Sequence, residues 1–146
     1  MKKIEIYTLQ DTNNLAIKIA SLLDGNGCIC LAGDLGAGKT TFSKALGKAI
    51  GIKDVITSPT FNILKIYEGN PTLYHIDAYR LEGLHQDLGF EEVFEEKGIV
   101  VVEWYSYIHD ILPKEYLKIH IELDGDKRIF KIEGIKDKYK QIEGEL

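Results

Sequence analysis

The segment Gly33–Thr40 reads Gly-Asp-Leu-Gly-Ala-Gly-Lys-Thr and fits the pattern G-x-x-x-x-G-K-[ST] of a phosphate-binding P-loop. Glycines let the backbone turn tightly and point successive N–H groups inward, and a following helix adds partial positive charge at its N-terminus. In such a loop Lys39 reaches the β- and γ-phosphates, and the Thr40 hydroxyl ligates Mg²⁺. The alternative is a Gly-rich turn that happens to precede a helix.

The residues on either side of the loop favour the P-loop interpretation. Cys28–Ala32 is a short apolar run that predicts a buried strand. Apolar residues recur at helical spacing after the loop, at Phe42, Leu46, Ala49 and Ile50. Strand, Gly-rich loop and helix follow one another in the order that phosphate binding requires.

Two acidic residues are candidates for the second half of a nucleotide site, since hydrolysis needs a carboxylate near the metal ion. Glu103 follows the apolar run Ile99–Val102, which is typical of a central parallel strand covered on both faces. Such a strand would deliver its terminal carboxylate beside the P-loop. We assign Glu103 to Mg²⁺, directly or through water; the alternative is a surface acid at a strand end.

Asp77 follows the alternating run Leu73–Ile76, which predicts a half-exposed strand. We assign Asp77 to positioning or activating the attacking water, with a place in the metal's coordination shell as a second option. The alternative is an aspartate that forms the turn before Ala78. The polar loop Thr57–Phe61 lies between the P-loop helix and Asp77, in an interval that often holds a segment ordered by the γ-phosphate. The alternative is an ordinary connection that contains Pro59.

The arginine supply is small, because Arg80 and Arg128 are the only two in the sequence. This chain could hardly build the Arg-rich lid of a nucleotide kinase. If neither arginine reaches the site, hydrolysis should be slow and partner-dependent, since an arginine finger is worth about 10³–10⁵ in rate. The sequence contains neither Asn-Lys-x-Asp nor Thr-Lys-x-Asp, the usual guanine-reading motif, so adenine is favoured.

The strands and helices that position these residues indicate a single α/β domain of the P-loop NTPase type. Its sheet is mixed, parallel in the centre and antiparallel at the margins, and it is flanked by helices. The chain has 146 residues, enough for one domain with one core. We expect the P-loop domain to span residues 1–133, and residues 134–146 to form a charged tail that is frayed or a short helix.

Patterning and turn signals place the remaining elements. A strand is predicted over Lys3–Leu9, and Asp11 or Thr12 as the N-cap of a helix that Gly25 ends. Further predicted strands are Asn62–Tyr67, Thr72–Asp77, Tyr116–Leu123 and Arg128–Ile132, with one or two short helices over Leu81–Glu96 and a hairpin turn at Asp124-Gly125.

Composition indicates a cytosolic protein. No apolar run approaches the roughly 20 residues that a membrane span needs, and no apolar signal core follows Met1. Cys28 and Cys30 point the same way along one strand, which predicts buried reduced thiols. The net charge of −5 opposes strong direct binding to a nucleic acid. An acidic stretch, Glu91–Glu96, is either a solvated helix surface or a docking site for a basic partner.

Four blocks in this order resemble one family. They are Gly33–Phe42, Ser58–Phe61, His75–Arg80 and Val102–Trp104. The set is similar to the TsaE/YjeE family, from about Thr12 to about Ile132. The resemblance implies a small ATPase that acts with the TsaB–TsaD pair, which transfers a threonylcarbamoyl group to the adenosine (forming t6A) after the anticodon of tRNAs reading ANN codons. It further implies that ATP hydrolysis resets that assembly between rounds, and we expect tRNA contacts only through the partners.

The resemblance also implies roles for individual residues. Lys39 and Thr40 match the family's loop lysine and metal threonine, and Asp77 and Glu103 match its essential acids. Thr12 matches a threonine near the nucleotide base, and a late basic residue falls at Lys127 or Arg128. The nucleotide-binding set of this interpretation is Thr12, Gly36, Ala37, Gly38, Lys39, Thr40, Thr41 and Arg128.

The resemblance is not complete, because many members have Pro after Glu-Trp and here Tyr105 follows Trp104. Trp104 either packs over the nucleotide or fills core. Two other functions remain open from the residues. One is a small-molecule kinase, whose ATP consumption would depend on an added acceptor hydroxyl. The other is a nucleotide-gated binding module, in which ATP binding alone drives docking.

Overall fold

The computed structural model describes residues 1–34, 36–57, 63–79 and 90–146. These residues form a seven-stranded sheet in the order β1-β7-β6-β2-β5-β4-β3. The strands β6, β2, β5 and β4 are parallel to their neighbours in that run, whereas β1, β7 and β3 join antiparallel. The predicted mixed sheet, with its parallel centre, is confirmed.

The helices and strands have the following bounds. The strands are β1 Lys2–Ile6, β2 Gly27–Gly33, β3 Leu64–Tyr67, β4 Leu73–Asp77, β5 Ile99–Glu103, β6 Tyr116–Asp124 and β7 Lys127–Ile135. The helices are α1 Leu9–Leu23, α2 Lys39–Ala49, α3 Phe90–Glu95 and α4 Asp137–Glu145, with a 3-10 helix over Tyr105–Ile111.

The two faces of the sheet are covered by different elements. One face packs against α1, α2 and α4 in a large core that includes Ile19, Phe42 and Tyr139. The other face carries Cys28, Cys30 and neighbouring valines under Ile108 of the 3-10 helix. All five residues of β5 are buried. A strand covered on both sides explains its unbroken apolar run.

Both cysteines are buried and unbridged, as predicted. Burial raises the pKa of the Cys30 thiol, so it stays protonated.

The N-terminal expectations need two corrections. The first strand ends at Ile6, not Leu9, and the N-cap of α1 is Thr8, not Asp11 or Thr12. The Thr8 hydroxyl accepts from the Asp11 N–H at 3.1 Å, and the Asp11 carboxylate accepts from the Thr8 N–H at 3.1 Å. This reciprocal capping box starts the helix one turn earlier than the apolar periodicity indicates.

At the C-terminus, β6 and β7 form the expected hairpin, and β7 continues to Ile135. The following residues form α4, in which Tyr139 and Ile142 are buried. The Tyr139 hydroxyl accepts a hydrogen bond from the Cys28 N–H at 2.9 Å, which links α4 to the strand before the P-loop.

Some expectations fall outside the described residues. They concern Leu35, most of the polar loop from Ser58 onward, Arg80, and the first part of the predicted helical stretch, residues 81–89. No helix in the part of the chain that the structure describes is both long enough and apolar enough to span a membrane. The acidic residues Glu91, Glu92, Glu95 and Glu96 are exposed, and their docking role stays a prediction.

Candidate nucleotide-binding site

The Gly-rich loop connects the end of β2 at Gly33 to the start of α2 at Lys39. Gly36 has φ 80° and Gly38 has φ 117°, backbone conformations that side chains disfavour. The Ala37 N–H donates to the Asp34 carbonyl at 3.0 Å, which closes a tight turn inside the loop. The sequence therefore folds here as a strand, a turn that needs glycine, and a helix.

Among the described residues, no side-chain hydrogen bond caps the N-terminus of α2. Gly38 is the N-cap residue and has no side chain that could cap the first turn. The Phe42 N–H donates to the Gly38 carbonyl at 2.9 Å, so the N–H groups of Lys39, Thr40 and Thr41 precede the first intrahelical bond. Uncapped N–H groups and the helix dipole make this end suited to phosphate.

Glu103 ends β5 at the carboxyl edge of the parallel strands. It lies opposite Leu31 of β2 on one side and Asp77 of β4 on the other. Its Oε1 is 3.9 Å from Lys39 Nζ, and the residue is only 6% exposed. The structure thus brings Lys39, Asp77 and Glu103 together at the carboxyl edge of the parallel strands, which is where open α/β sheets bind ligands.

A histidine that sequence reasoning did not assign belongs to this cluster. His75 Nε2 lies 2.7 Å from Glu103 Oε2, and His75 is 1% exposed. The sequence contains a pattern that points to His75. His75 and Asp77 are two residues apart on β4, and alternate residues of a strand share a face. The same alternation that selected Asp77 therefore points to His75.

Asp77 is in a partly buried environment. Burial raises the pKa of its carboxyl group, and the negative charge of Glu103 raises it further. A hydrogen bond from the Tyr79 N–H to Asp77 Oδ1, at 3.0 Å, opposes the shift. The hydrogen bond also fixes the direction of the carboxylate.

The two late basic residues lie in different surroundings. Arg128 Nε donates to the Ala37 carbonyl at 2.8 Å, and a Cβ added to Gly38 would lie 3.2 Å from the Arg128 side chain. Lys127 Nζ pairs with Glu5 at 2.9 Å. Of the two candidates, Arg128 is therefore the one in contact with the P-loop.

Trp104 borders the site and does not fill core. It is 42% exposed, and Lys39 Nζ lies 5.3 Å from the centroid of its ring. Its ring also contacts Tyr79 and stacks on Tyr107, with centroids 5.0 and 5.7 Å away. Trp104 has φ 57°, a left-handed conformation that turns the chain sharply after Glu103.

The other threonines predicted to contact the nucleotide lie in the first turns of α1 and α2. Thr12 lies one turn into α1 and is 4% exposed, so protein covers its side chain. Thr40 is half-buried and Thr41 is exposed, both in the first turn of α2. The proposed contacts of these residues with a nucleotide stay predictions.

Fold and loop together define a P-loop NTPase-like protein. A family model described as "Threonylcarbamoyl adenosine biosynthesis protein TsaE" matches residues 6–130. The chain belongs to the TsaE family.

Individual relatives support the family assignment. A protein named tRNA threonylcarbamoyladenosine biosynthesis protein TsaE in Bacillus subtilis is 38% identical over 150 aligned positions, covering all of this chain and 95% of the relative. The protein of that name in Aquifex aeolicus is 45% identical, over 71% of this chain and 77% of its own. The crystal structure of Bacillus subtilis YdiB matches with a TM-score of 0.79 and 32% identity, covering 99% of this chain and 92% of YdiB.

Proposed function

We propose that the protein binds and hydrolyses ATP with Mg²⁺ in the formation of t6A on tRNA. In this proposal it acts in the cytoplasm with a TsaB–TsaD-type transferase pair and resets that pair between rounds. The observation that carries the proposal is the 3.9 Å approach of Lys39 Nζ to Glu103 Oε1 beside the N-terminus of α2, whose cap residue Gly38 makes no side-chain hydrogen bond. A cation, a carboxylate and uncapped N–H groups at one strand edge are the parts that phosphate hydrolysis requires.

The residues at the edge fit a magnesium ion as well as a nucleotide. Mg²⁺ prefers oxygen ligands and keeps several waters. The Thr40 hydroxyl and the Glu103 carboxylate offer such oxygens, and Asp77 is directly opposite Glu103. When bound, the ion would neutralise charge on the phosphate oxygens. Thr40 and Glu103 would hold it, directly or through water.

The protein's own groups then have distinct tasks. Lys39 and the N–H groups at the start of α2 bind the phosphates. Asp77, held by the Tyr79 N–H, orients or deprotonates the attacking water. Arg128 stabilises the loop through the Ala37 carbonyl. We further propose that a partner helps to stabilise the charge that develops during phosphoryl transfer, so that hydrolysis by the isolated protein is slow.

The experiment is phosphate release from Mg-ATP by the protein alone and then with the TsaB–TsaD pair. We expect a low rate that rises sharply when the pair is added. Lys39→Ala and Glu103→Ala should abolish the stimulated rate, whereas Lys44→Ala, on an exposed position of the same helix, should leave it unchanged.

Other results would change the conclusion. Bound nucleotide without stimulated hydrolysis would favour a nucleotide-gated binding module. ATP consumption that requires an added acceptor hydroxyl would favour a kinase. Binding of tRNA also discriminates, since the net charge of −5 predicts weak binding by the isolated protein. Tight, salt-dependent binding would contradict the indirect role of tRNA.

A further inference from the structure

His75, the buried partner of Glu103, has no role in the chemistry described so far. His75 lies on β4, and only 1% of its surface is exposed. Its Nε2 is 2.7 Å from Glu103 Oε2, a short distance typical of a hydrogen bond to a charged group. A polar ring is costly to bury unless it is hydrogen-bonded, and here Glu103 supplies the partner.

The direction of the hydrogen bond follows from the chemistry of the partners. We assign the Nε2–H tautomer to His75, because an ionised carboxylate only accepts and His75 Nε2 is then the donor to Glu103 Oε2. Among the described residues, His75 Nδ1 has no hydrogen-bond partner. The ring is therefore held by packing and contributes its Nε2–H to Glu103.

Because of this hydrogen bond, the two carboxylate oxygens of Glu103 have different partners. Oε2 is taken by His75, and Oε1 faces Lys39 Nζ at 3.9 Å, beyond hydrogen-bond distance. The backbone of Glu103 is fixed separately, because its carbonyl accepts from the Ala78 N–H at 3.0 Å. The strand thus places the Glu103 Cα, and His75 fixes the carboxylate.

We propose that His75 is a positioning residue that holds the Glu103 carboxylate back from Lys39. Without the donor, the carboxylate turns to Lys39, the cation nearest to it among the described residues, and closes the 3.9 Å gap to a hydrogen-bonded ion pair. That pair competes with the phosphates of a nucleotide for the Lys39 ammonium. The proposal rests on the proposed nucleotide site and adds to it the means by which the lysine stays available before a nucleotide arrives.

The test measures ADP affinity without metal, by titration calorimetry in EDTA, so that it is independent of hydrolysis. His75→Met removes the donor at similar volume, and His75→Gln is its matched control because the amide nitrogen of Gln stands near the position of Nε2. We expect ADP affinity to fall about ten-fold in His75→Met and to stay within about two-fold of wild type in His75→Gln. His75→Asn, whose amide is too short to reach Glu103, should behave like His75→Met and serves if the latter does not fold.

A second background tests whether the effect passes through Glu103. Glu103→Gln removes the charge that attracts Lys39, so adding His75→Met to it should cause no further loss of metal-free affinity. Thermal unfolding of each variant shows that the compared proteins are folded.

Three results would overturn the proposal. They are wild-type affinity in His75→Met, equal losses in His75→Met and His75→Gln, or the same loss with and without Glu103→Gln. Failure of the wild-type protein to bind ADP would instead refute the proposed function and, with it, the role of His75. Normal wild-type binding with unaffected variants would refute the role of His75 alone.

Discussion

Asp77 and Glu103 lie directly opposite each other, as the last residues of the neighbouring parallel strands β4 and β5. The two residues are 26 positions apart in the sequence and become neighbours because parallel strands end at the same edge of the sheet. Their surroundings differ, since Glu103 is buried beside His75 and Lys39, whereas Asp77 is half-buried and bonded to the Tyr79 N–H. This difference in environment supports different roles for the two acids.

The first prediction separates nucleotide binding from hydrolysis. Asp77→Asn keeps the shape of the side chain and the oxygen that accepts from Tyr79, but it removes the basic carboxylate. We expect stimulated hydrolysis to fall about 10²–10⁴-fold, the range of general base catalysis, while ADP affinity stays near wild type. Asp54→Asn, at an exposed position, is the control and should change neither stimulated hydrolysis nor ADP affinity. Full hydrolysis by Asp77→Asn would exclude a catalytic role.

The second prediction concerns stability and pH in the absence of metal. Burial and Glu103 raise the pKa of Asp77 in the folded protein, so ionisation of this group opposes folding. Asp77→Asn should therefore increase the free energy of unfolding at neutral pH. The gain should shrink as the pH falls through the raised pKa and be lost below about 3.9, the ordinary value for aspartate. Urea unfolding in EDTA at several pH values measures it, and a gain that is independent of pH would contradict the assignment.

The third prediction compares the two late basic residues. Arg128→Ala removes the hydrogen bond from Nε to the Ala37 carbonyl and loosens the P-loop. ADP affinity should fall about ten-fold, the effect of losing one hydrogen bond to a charged group. Lys127→Ala removes only an exposed pair with Glu5 and should leave the affinity unchanged. The opposite ranking would mean that Lys127, not Arg128, serves the nucleotide.

The fourth prediction uses the single tryptophan as a reporter. Lys39 Nζ lies 5.3 Å from the centroid of the Trp104 ring, and phosphate binding draws the ammonium towards the nucleotide. Binding of ADP should therefore change the Trp104 fluorescence emission. In Lys39→Ala the change should be absent at any ADP concentration that saturates wild type. An identical spectrum for free and bound wild type would show that the ring does not sense Lys39.

The fifth prediction tests the attachment of α4. A Cβ on Gly134 would overlap the Tyr139 carbonyl oxygen, so the helix would have to move. Gly134→Ala should lower the free energy of unfolding by about 3 kcal/mol, as overpacking does. Gly144→Ala, within α4 where nothing lies within 4 Å of the added atom, should be neutral or stabilising by up to about 1 kcal/mol. Equal stabilities by chemical denaturation would mean that α4 is not firmly docked.

Local sequence patterns determined much of the fold. The glycines and the apolar runs around the loop predicted β2 and α2, and the unbroken run before Glu103 predicted a buried parallel strand. These predictions succeeded because each depends on a short stretch of chain, in which the pattern of apolar and polar residues indicates which side chains are buried. The predicted start of α1 was wrong for a related reason. The capping box of Thr8 and Asp11 stabilises a first turn whose apolar residue, Leu9, is exposed and lies off the buried face of the helix.

The sequence by itself determined which residue types were available for phosphate chemistry and which strand ends would carry them. Only the tertiary structure decided how they meet. The strand order places β5 between β2 and β4, so that Glu103 lies between the loop strand and Asp77. The antiparallel β7 brings Arg128 back to the P-loop, and β4 brings His75 to Glu103. Strand order and register are set by packing between segments that are distant in the sequence. No local pattern in the chain specifies which strand ends become neighbours.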